Sequence, residues 1–486
     1  MRRGPGVADQ RGVLPQGEPP AGRPHPAGAA GRRGLGGAVG NHRAHRARGR
    51  VGSGGERVKY EKVLTKGIGE VDLTRIENYE AQGGYQALRK ALKGMTPQEV
   101  HGEVKRANLR GRGGAGFPAG VKWGFLPDDG RPRYLCCNAD ESEPGTFNNR
   151  MLIEYNPHLL IEGILLAAYA VRASRSFIYL RGEFRKGFRV LTAAIEQARA
   201  KGYLGDKILG SDFSQEIVVH RGAGAYICGE ETGLLSSLEG GRGEPRIKPP
   251  FPAVAGLYGM PTVVNNVETL CNVPFIIERG ADWFLSIGTE KSPGTKIFSV
   301  SGMVRRPGNY ELPLGIPLRE LIEDVAGGLL PGRRLKAVQP GGASSPVLLP
   351  EHLDIPLDFD SVQQAGSILG TAGVMVFDDT VCMVRTALYY ADFFSHESCG
   401  QCTPCREGTA WTARLLRKIE RGEGTRDDIE VLKSLRSAMS GTTICLLSDF
   451  SITYLQSVLK HFAHEFEAHI EGRACLAGHA REVRSA

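Results

Sequence analysis

The sequence has no hydrophobic run of the length that a membrane-spanning helix requires. About 18 or more consecutive apolar residues are needed to cross a bilayer, and none of the 486 residues belongs to such a run. Six of the ten cysteines also have spacings that fit no disulfide framework: Cys136, Cys137, Cys228, Cys271, Cys382 and Cys475. We therefore expect reduced, buried thiols in a cytosolic protein, with any membrane attachment made through partners.

Residues 1–57 contain no Phe, Tyr, Trp, Ile or Lys, and they carry eleven arginines against three acidic residues. This segment accounts for the whole net charge of +8, because the remaining 429 residues hold 50 basic and 50 acidic side chains. A basic arm for nucleic acid and a transit peptide are two interpretations, but no aromatics interleave the arginines and glycine and proline oppose an amphipathic helix. We expect a disordered or mis-assigned extension, folded protein from about Val58, and no nucleic-acid binding.

The most informative motif is Cys399-Gly-Gln-Cys402-Thr-Pro-Cys405, with Cys445 forty positions further on. A C-x-x-C-x-x-C triplet places three thiolates on one tight turn, and a distant fourth cysteine completes the ligand set of a [4Fe–4S] cluster. Zinc is the main alternative, although zinc sites more often pair two C-x-x-C hooks. A structural disulfide is a further alternative. We interpret the four cysteines as cluster ligands, which predicts an electron-transfer protein.

A glycine-rich loop, residues 111–118, follows a helix that is predicted to begin at a Thr96–Glu99 capping box. Gly111, Gly113 and Gly116 match the pattern G-x-G-x-x-G, but the usual dinucleotide fingerprint follows a strand. Four glycines in six residues still let the backbone approach a flat or phosphorylated ligand closely. A flexible surface loop is the alternative.

Strands near 134–138, 176–180 and 216–220 alternate with helices near 157–172 and 185–201. This alternation predicts a mainly parallel sheet covered by helices. Polar or glycine-rich segments follow the first and third strands: Asn138-Ala139-Asp140-Glu141-Ser142-Glu143 and Gly222-Ala223-Gly224-Ala225-Tyr226-Ile227-Cys228-Gly229-Glu230-Glu231-Thr232. Ligands bind at the carboxyl ends of strands in such sheets, so we expect one pocket here.

Two features beside this pocket have alternative interpretations. Glu230 and Glu231 could bind a ligand, or they could simply occupy the first turn of a helix that runs to Leu238. Residues 240–269 are too rich in proline for regular secondary structure, and a long irregular segment in a compact domain is usually functional. Within it, Lys248 offers a charge for phosphate and Phe251 a face for stacking.

The second half of the chain predicts two smaller units. A hairpin from Lys296, a helix at 318–326 and a strand near 337–338 fit a small β-grasp-like module, which we expect to be a spacer and not a site. From residue 382 the sequence is helical, with segments near 382–395, 406–421, 427–439 and 449–470. The cysteine triplet is expected in the loop between the first two helices and Cys445 in the loop between the last two. A four-helix bundle with a cluster at one end is the predicted result.

Four segments in the same order resemble the NADH-binding flavoprotein subunit of respiratory NADH:quinone oxidoreductase, complex I (the F class of its subunits). They are residues 111–118, 138–142, 222–232 and 397–402, and the resemblance covers about 60–475. The family implies an α/β architecture: a Rossmann-like FMN- and NADH-binding domain with a parallel sheet at 58–294, a β-grasp (ubiquitin-like) domain at 295–378, and a helical [4Fe–4S] domain at 379–486.

The resemblance also implies the residues that hold the cofactors. Those for FMN are Gly111, Arg112, Gly114, Lys122, Asn138, Asp140, Tyr226, Gly229, Glu230, Asn265 and Asn266. Those for NADH are Phe117, Phe125, Glu231, Lys248 and Phe251, and Gly113, Gly116 and Glu141 belong to the same cofactor-binding segments. Glu230 and Glu231 are placed at the catalytic centre, where they orient the cofactors, because hydride transfer needs no general acid or base.

The implied function is electron input: NADH reduces FMN, FMN reduces the cluster, and electrons leave to quinone through partner subunits. The implied partners are a [2Fe–2S] thioredoxin-like subunit and a large multi-cluster iron–sulfur subunit, at the cytoplasmic face of the bacterial inner membrane. A diaphorase subunit of an NAD-linked hydrogenase or formate dehydrogenase is the nearest alternative. A zinc-stabilised scaffold without redox activity is another, but it leaves the glycine-rich loops unexplained.

Overall fold

A four-stranded parallel sheet organises the first part of the computed structural model, which describes residues 60–471 and 475–478. Its strands are β1 (Tyr134–Ala139), β2 (Arg175–Leu180), β3 (Ile217–Arg221) and β4 (Thr262–Asn266). They lie in the order β3-β2-β1-β4. Along the chain, β2 and β3 are added in turn on one side of β1, and the chain then returns so that β4 pairs with the opposite edge of β1. The carboxyl ends of β1 and β4 therefore meet at a topological switch point, where open α/β sheets bind ligands.

Helices pack around this sheet, and a short hairpin of β5 (Gly288–Thr289) and β6 (Ser292–Pro293) follows it. The helices are α1 (Ile76–Ala81), α2 (Gln86–Gly94), α3 (Pro97–Arg106), α4 (Ala119–Trp123), α5 (Asn148–Tyr155), α6 (Pro157–Val171), α7 (Arg185–Ala200), α8 (Glu231–Leu238), α9 (Pro252–Ala255), α10 (Val267–Arg279) and α11 (Ala281–Leu285). The predicted capping box at Thr96 and Glu99 is formed, with both reciprocal hydrogen bonds present. The predicted extension, residues 1–57, lies outside the described residues.

The two faces of the parallel sheet pack against different parts of the chain. Because side chains alternate along a strand, Leu135 and Cys137 of β1 join the core formed with α6 and α10. Cys136 points to the opposite face, where it joins α8 and Phe394 and Leu447 of the C-terminal helices. One face of the sheet is thus covered by helices of its own domain, and the other by α8 together with the C-terminal helices.

The expectation that residues 240–269 lack regular structure is wrong at Pro252–Ala255, which forms the short helix α9, and at their carboxyl end. Thr262–Asn266 forms β4, which pairs with β1, and Val267 begins α10. Val263 and Val264 are buried in this strand. The prolines all precede Thr262, so they do not interrupt the ladder of hydrogen bonds.

A second, mixed sheet has the order β8-β7-β10-β9. Its strands are β7 (Thr295–Gly302), β8 (Gly308–Pro313), β9 (Leu335–Gln339) and β10 (Gly373–Asp378), with α12 (Leu318–Glu320), a π-helical turn (Leu321–Val325) and α13 (Phe359–Gln364) between them. The first and last strands, β7 and β10, are the parallel central pair. This arrangement agrees with the predicted β-grasp-like module.

The last part of the chain is helical, as the sequence predicts. Its helices are α14 (Met383–Glu397), α15 (Thr403–Glu420), α16 (Arg426–Met439), α17 (Leu447–His461) and α18 (Ala463–Ile470). The predicted helix at 449–470 is thus two helices separated at Phe462. No helix within residues 60–471 or 475–478 has both the length and the apolar character needed to cross a bilayer.

Candidate functional site

A cavity of about 580 Å³ lies at the switch point between β1 and β4. Asn138 and Asp140 line it from the end of β1, and Asn266 lines it from the end of β4. The other predicted cofactor residues in its walls are Gly113, Gly114, Glu141, Tyr226, Gly229, Glu230 and Lys248. The two glycine-rich loops and the acidic segment therefore do form one pocket.

The first glycine-rich loop passes too close to its neighbours for side chains at two positions. A Cβ on Gly113 would lie 2.9 Å from the Cβ of Asn266, and a Cβ on Gly116 would lie 2.7 Å from the ring of Phe359. Gly114 has φ of +127° and Gly116 has φ of +65°, conformations that residues with a Cβ rarely adopt. Bare backbone at Gly113 and Gly114 thus forms the wall of the cavity, as an approach to a flat or phosphorylated ligand requires.

Asn138 and Asp140 connect β1 to the second glycine-rich loop. The Asn138 side-chain amide donates to the carbonyl of Gly229 at 2.8 Å, and its oxygen accepts from the Asp140 N–H at 3.1 Å. Burial raises the pKa of Asp140 to about 7, and a hydrogen bond from the Ser142 hydroxyl only partly opposes this. Asp140 is therefore a carboxyl group that titrates near neutral pH inside the cavity.

Tyr226 joins the cavity to the segment that carries the cysteine triplet. Its backbone N–H donates to Glu397 Oε2 at 3.0 Å, and Glu397 lies two residues before Cys399. Its hydroxyl donates to Glu143 Oε2 at 2.7 Å. The Tyr226 ring packs at 5.2 Å from the ring of Phe393 in α14. The second glycine-rich loop is thus held between the acidic segment and the cysteine-bearing helix.

Two lysines and two glutamates form a charged network beside the cavity. Lys122 Nζ lies 2.7 Å from Glu231 Oε2, and Lys248 Nζ lies 2.8 Å from Glu230 Oε1 and 3.5 Å from Glu231 Oε1. Burial by itself raises the pKa of Glu231, but Lys122 and Lys248 outweigh it and the pKa is lowered. Glu231 is therefore held ionised.

Glu230 lies at the start of α8, and its role in binding a ligand stays a prediction. Its carboxylate accepts from the N–H groups of Thr232 and Gly233 at 2.8 and 2.9 Å, so it caps α8. It also lines the cavity and binds Lys248. Glu141 likewise has a structural task, since its carboxylate accepts from the N–H groups of Asn149 and Arg150 at the start of α5.

Several predicted residues lie outside the cavity wall, namely Gly111, Arg112, Gly116, Phe117, Lys122, Phe125, Glu231, Phe251 and Asn265. Arg112 is buried, with its guanidinium donating to the carbonyls of Arg110 and Pro293. The Asn265 amide oxygen accepts from Trp123 Nε1 at 2.8 Å. Phe117, Phe125 and Phe251 are 48%, 56% and 57% exposed, so their rings are free to contact a ligand from solution. The assignment of these nine residues to FMN or NADH stays a prediction.

The expectation that the β-grasp-like module is only a spacer is wrong. Gly341, Ser344, Phe359 and Thr371 of this module line the same cavity. Ser344 also donates through its N–H and hydroxyl to Glu143 Oε1, each at 2.7 Å. In the sequence, Gly341 and Ser344 belong to a glycine- and serine-rich stretch that follows a strand, residues 340–345. No local signal shows that this stretch reaches the first domain, because the bond from Ser344 to Glu143 spans 201 positions.

The four motif cysteines converge at the end of the helical segment nearest the sheet. Cys402 is the N-cap of α15 and Cys405 lies in its first turn, not in the preceding loop as predicted. Cys445 lies between α16 and α17, where the neighbouring Ile444 N–H donates to Cys402 Sγ at 3.4 Å. All four join one hydrophobic cluster with Tyr226 and Phe394. Cys445, with Ile444, Leu446 and Leu447, also lines the cavity.

The spacing of these sulfurs distinguishes between the two metal sites considered for them. A tetrahedral zinc ion with Zn–S bonds of about 2.3 Å places its sulfurs about 3.8 Å apart. Within the described part of the chain, no three of Cys399, Cys402, Cys405 and Cys445 have their sulfurs all within 4.8 Å of one another. The four cysteines therefore lack the close sulfur spacing of a zinc site, and their sequence pattern is that of a [4Fe–4S] cluster.

Comparison with known proteins gives three family matches in chain order. Residues 104–275 match the Nuo51 FMN-binding domain, residues 297–348 match the SLBB domain, and residues 385–469 match the NADH-ubiquinone oxidoreductase-F iron–sulfur binding region. These ranges contain the cavity loops, part of the β-grasp-like module and the four cysteines.

Similar proteins match over most of their length. The chain is 56% identical over 417 residues to the second F-type NADH-quinone oxidoreductase subunit of Rhizobium meliloti (strain 1021), covering 86% of this chain and 99% of that protein. It is 50% identical over 399 residues to the F-type NADH-quinone oxidoreductase subunit of Escherichia coli (strain K12), covering 82% and 90%. The crystal structure of an NAD+-reducing [NiFe]-hydrogenase in the H2-reduced state aligns with a TM-score of 0.74 at 37% identity, covering 84% of this chain and 67% of that chain.

Proposed function

This chain belongs to the family of F-type subunits of NADH-quinone oxidoreductases, and on that premise we propose how its residues perform the electron input of such a complex. The chain binds FMN and a [4Fe–4S] cluster and oxidises NADH. When bound, FMN would supply the chemistry that links a two-electron hydride donor, NADH, to a one-electron acceptor, the cluster. The observation that carries the proposal is that Cys445 and the two glycine-rich loops line one cavity.

We assign the flavin to the cavity at the switch point. Gly113 and Gly114 present bare backbone to it, and Asn138 and Asn266 present side chains from the ends of β1 and β4. Parallel sheets bind flat, phosphorylated ligands at such a crevice. Tyr226 holds the wall between the flavin and the cysteine segment through its bond to Glu397. The short path from the cavity to Cys445 then serves electron transfer.

We assign the nicotinamide nucleotide to the charged and aromatic residues beside the cavity. Phe117, Phe125 and Phe251 offer exposed rings for stacking. Glu231, kept ionised by Lys122 and Lys248, offers carboxylate oxygens that can accept hydrogen bonds from ribose hydroxyls. These residues bind and orient the nucleotide, and none of them has to transfer a proton.

We propose that electrons leave from the cluster side of the molecule to a [2Fe–2S] thioredoxin-like subunit and a large multi-cluster iron–sulfur subunit. Cys399 and Cys402 are only partly buried, and neither lines the cavity. This partial exposure supports transfer of electrons to a docked partner. Attachment through these subunits would hold the chain as a peripheral protein at the cytoplasmic face of the bacterial inner membrane.

The alternative is a diaphorase subunit of an NAD-linked hydrogenase or formate dehydrogenase. The similarity to the [NiFe]-hydrogenase chain is the observation that supports this alternative. The F-type subunits are more similar in sequence, and the chain covers nearly all of the Rhizobium meliloti protein. The genes adjacent to this one would distinguish the two, because subunits of one complex are commonly encoded together.

The direct experiment is an anaerobic titration of the purified, cluster-loaded protein with NADH, followed by absorption and EPR spectroscopy. We expect the flavin absorption to bleach and the EPR signal of a reduced cluster to appear. Cys402→Ser is the matched control, chosen because Cys402 does not line the cavity. It should lose iron and the EPR signal while NADH still bleaches the flavin. A colourless protein without iron or flavin would contradict the proposal.

A further inference from the structure

Three buried metal-ligating side chains meet at a second place, away from the flavin cavity. Cys382 is the N-cap of α14, His469 lies in the last turn of α18, and Cys475 follows that helix. Their two sulfurs and one ring nitrogen all lie within 4.8 Å of one another. Within residues 60–471 and 475–478, no other group of three or more such donors is this close. We propose that Cys382, His469 and Cys475 bind a zinc ion, separate from the iron–sulfur cluster.

The distance between Cys382 and His469 agrees with one edge of a zinc tetrahedron. Bonds of about 2.3 Å to sulfur and about 2.0 Å to nitrogen place a sulfur and a nitrogen ligand about 3.5 Å apart. The distance from Cys382 Sγ to His469 Nε2 is 3.5 Å. Two thiolates and one imidazole are also the donor types that zinc prefers. The fourth corner is available to water or to a donor outside the described residues.

The surroundings of His469 orient its ring for this role. Its other ring nitrogen, Nδ1, lies 3.4 Å from Glu420 Oε2. Glu420 is itself held by Arg385, whose Nε and Nη2 donate to Oε1 at 2.8 and 2.6 Å. A carboxylate behind the second nitrogen of a zinc-bound histidine fixes the tautomer and directs Nε2 at the metal. The His469 ring thus has a carboxylate on one side and the two sulfurs on the other.

The charge of the site is balanced when a divalent cation is bound. Cys382 Sγ lies at the N-terminus of α14, a helix of 15 residues, and accepts a hydrogen bond from the Arg385 N–H at 3.4 Å. Without a metal, burial outweighs this hydrogen bond and raises the pKa of the thiol. A doubly charged cation with two thiolates and a neutral imidazole has no net charge, so the group can be buried without an unpaired charge.

The position of the site indicates a structural role. Cys382 and His469 are 87 positions apart, and they bring the beginning and the end of the helical segment together. Cys475 extends this link to the chain beyond α18. A metal bound to all three would fix the C-terminal end of the chain against α14, since a site assembled from distant residues contributes its binding free energy to folding.

The test is metal analysis of the full-length, cluster-loaded protein purified without chelators. We expect about one zinc and about four irons per chain. Cys382→Ser, His469→Gln and Cys475→Ser should each reduce zinc to below about one tenth per chain while iron is kept. Cys271→Ser, at another buried thiol, should keep both metals. Cys402→Ser should lose iron and keep zinc, and loss of its zinc instead would place the ion at the four-cysteine site and overturn the proposal.

A measurement on the unmutated protein guards against variants that fail to fold. Cobalt exchanged into the protein should give the absorption of thiolate-to-metal charge transfer, and added zinc should abolish it. Intact mass under denaturing, non-reducing conditions should show both Cys382 and Cys475 as free thiols. A disulfide between them, or zinc-free protein after growth and purification with added zinc, would overturn the proposal.

Discussion

The backbone N–H of Tyr226, in the wall of the cavity to which we assign the flavin, donates at 3.0 Å to the carboxylate of Glu397, two residues before Cys399. This bond joins two segments that are 171 positions apart. Together with the packing of the Tyr226 ring against Phe393, it holds the second glycine-rich loop against the cysteine segment. The proposed electron path therefore depends on contacts between chain segments that are distant in sequence.

Replacing Glu397 should loosen this junction. Glu397→Ala leaves the Tyr226 N–H without its acceptor, at a cost of about 1–3 kcal/mol, whereas Glu397→Gln keeps an acceptor and should have a smaller effect. We expect weaker FMN retention and slower reduction of the cluster by NADH, measured by flavin fluorescence and rapid-freeze EPR. Glu407→Ala, at an exposed ion pair with Arg406, is the control. Unchanged FMN retention and an unchanged rate of cluster reduction in Glu397→Ala would show that the hydrogen bond from Tyr226 to Glu397 is dispensable.

Gly113→Ala should impair flavin binding through a steric effect. The new Cβ would lie 2.9 Å from the Asn266 Cβ, so either the loop or the end of β4 must move. We expect the FMN dissociation constant to rise at least about tenfold, or about 1.4 kcal/mol. Gly102→Ala, in α3 where a Cβ has open space, should leave flavin binding intact and leave stability equal or slightly raised. Equal flavin affinity in both variants would argue against close packing at Gly113.

Glu231→Gln should raise the KM for NADH. The amide oxygen is a weaker acceptor for ribose hydroxyls than the carboxylate that Lys122 and Lys248 hold ionised. The difference between a charged and a neutral acceptor is about 1 kcal/mol, or roughly fivefold. Steady-state kinetics with ferricyanide would measure it. Glu239→Gln, which removes a similar pair with Arg246 outside the cavity, should leave the KM unchanged. If the two variants behave alike, Glu231 has no specific role in nucleotide binding.

Asp140→Asn should change how stability depends on pH. The Asp140 pKa rises from 3.8 to about 7 on folding, mainly through burial. Between these values the folded protein keeps a proton that the unfolded chain has released. The free energy of unfolding of the wild type therefore falls as pH rises through this window and stays flat above it.

Thermal midpoints of the flavin-free protein would test this. The thermal midpoint of Asp140→Asn minus that of the wild type should be larger at about pH 8 than at about pH 5. At the higher pH the wild type has to bury a charged carboxylate and the variant does not. Asp206→Asn, at an exposed carboxylate, controls for removal of one acidic group. Parallel pH curves for wild type and Asp140→Asn would contradict the raised pKa.

The local patterns of the sequence were sufficient for much of the architecture. The capping box at Thr96, the strands that became β1 to β3 and the helices around them follow from side-chain periodicity and hydrogen bonds between near neighbours. The C-x-x-C-x-x-C spacing likewise specifies its chemistry without any knowledge of the fold. These features depend on residues a few positions apart, which is the range that a sequence pattern can report.

Only the tertiary structure decided which segments meet. Thr262–Asn266 follows a proline-rich stretch and becomes a strand because β1 offers it a pairing edge and the core buries its valines. Ser344 reaches Glu143 in the cavity wall, and His469 reaches Cys382, across separations of 201 and 87 residues. Such contacts arise when whole layers pack, and no local signal encodes them because the free energy that fixes them comes from burial of surfaces that only the folded chain brings together.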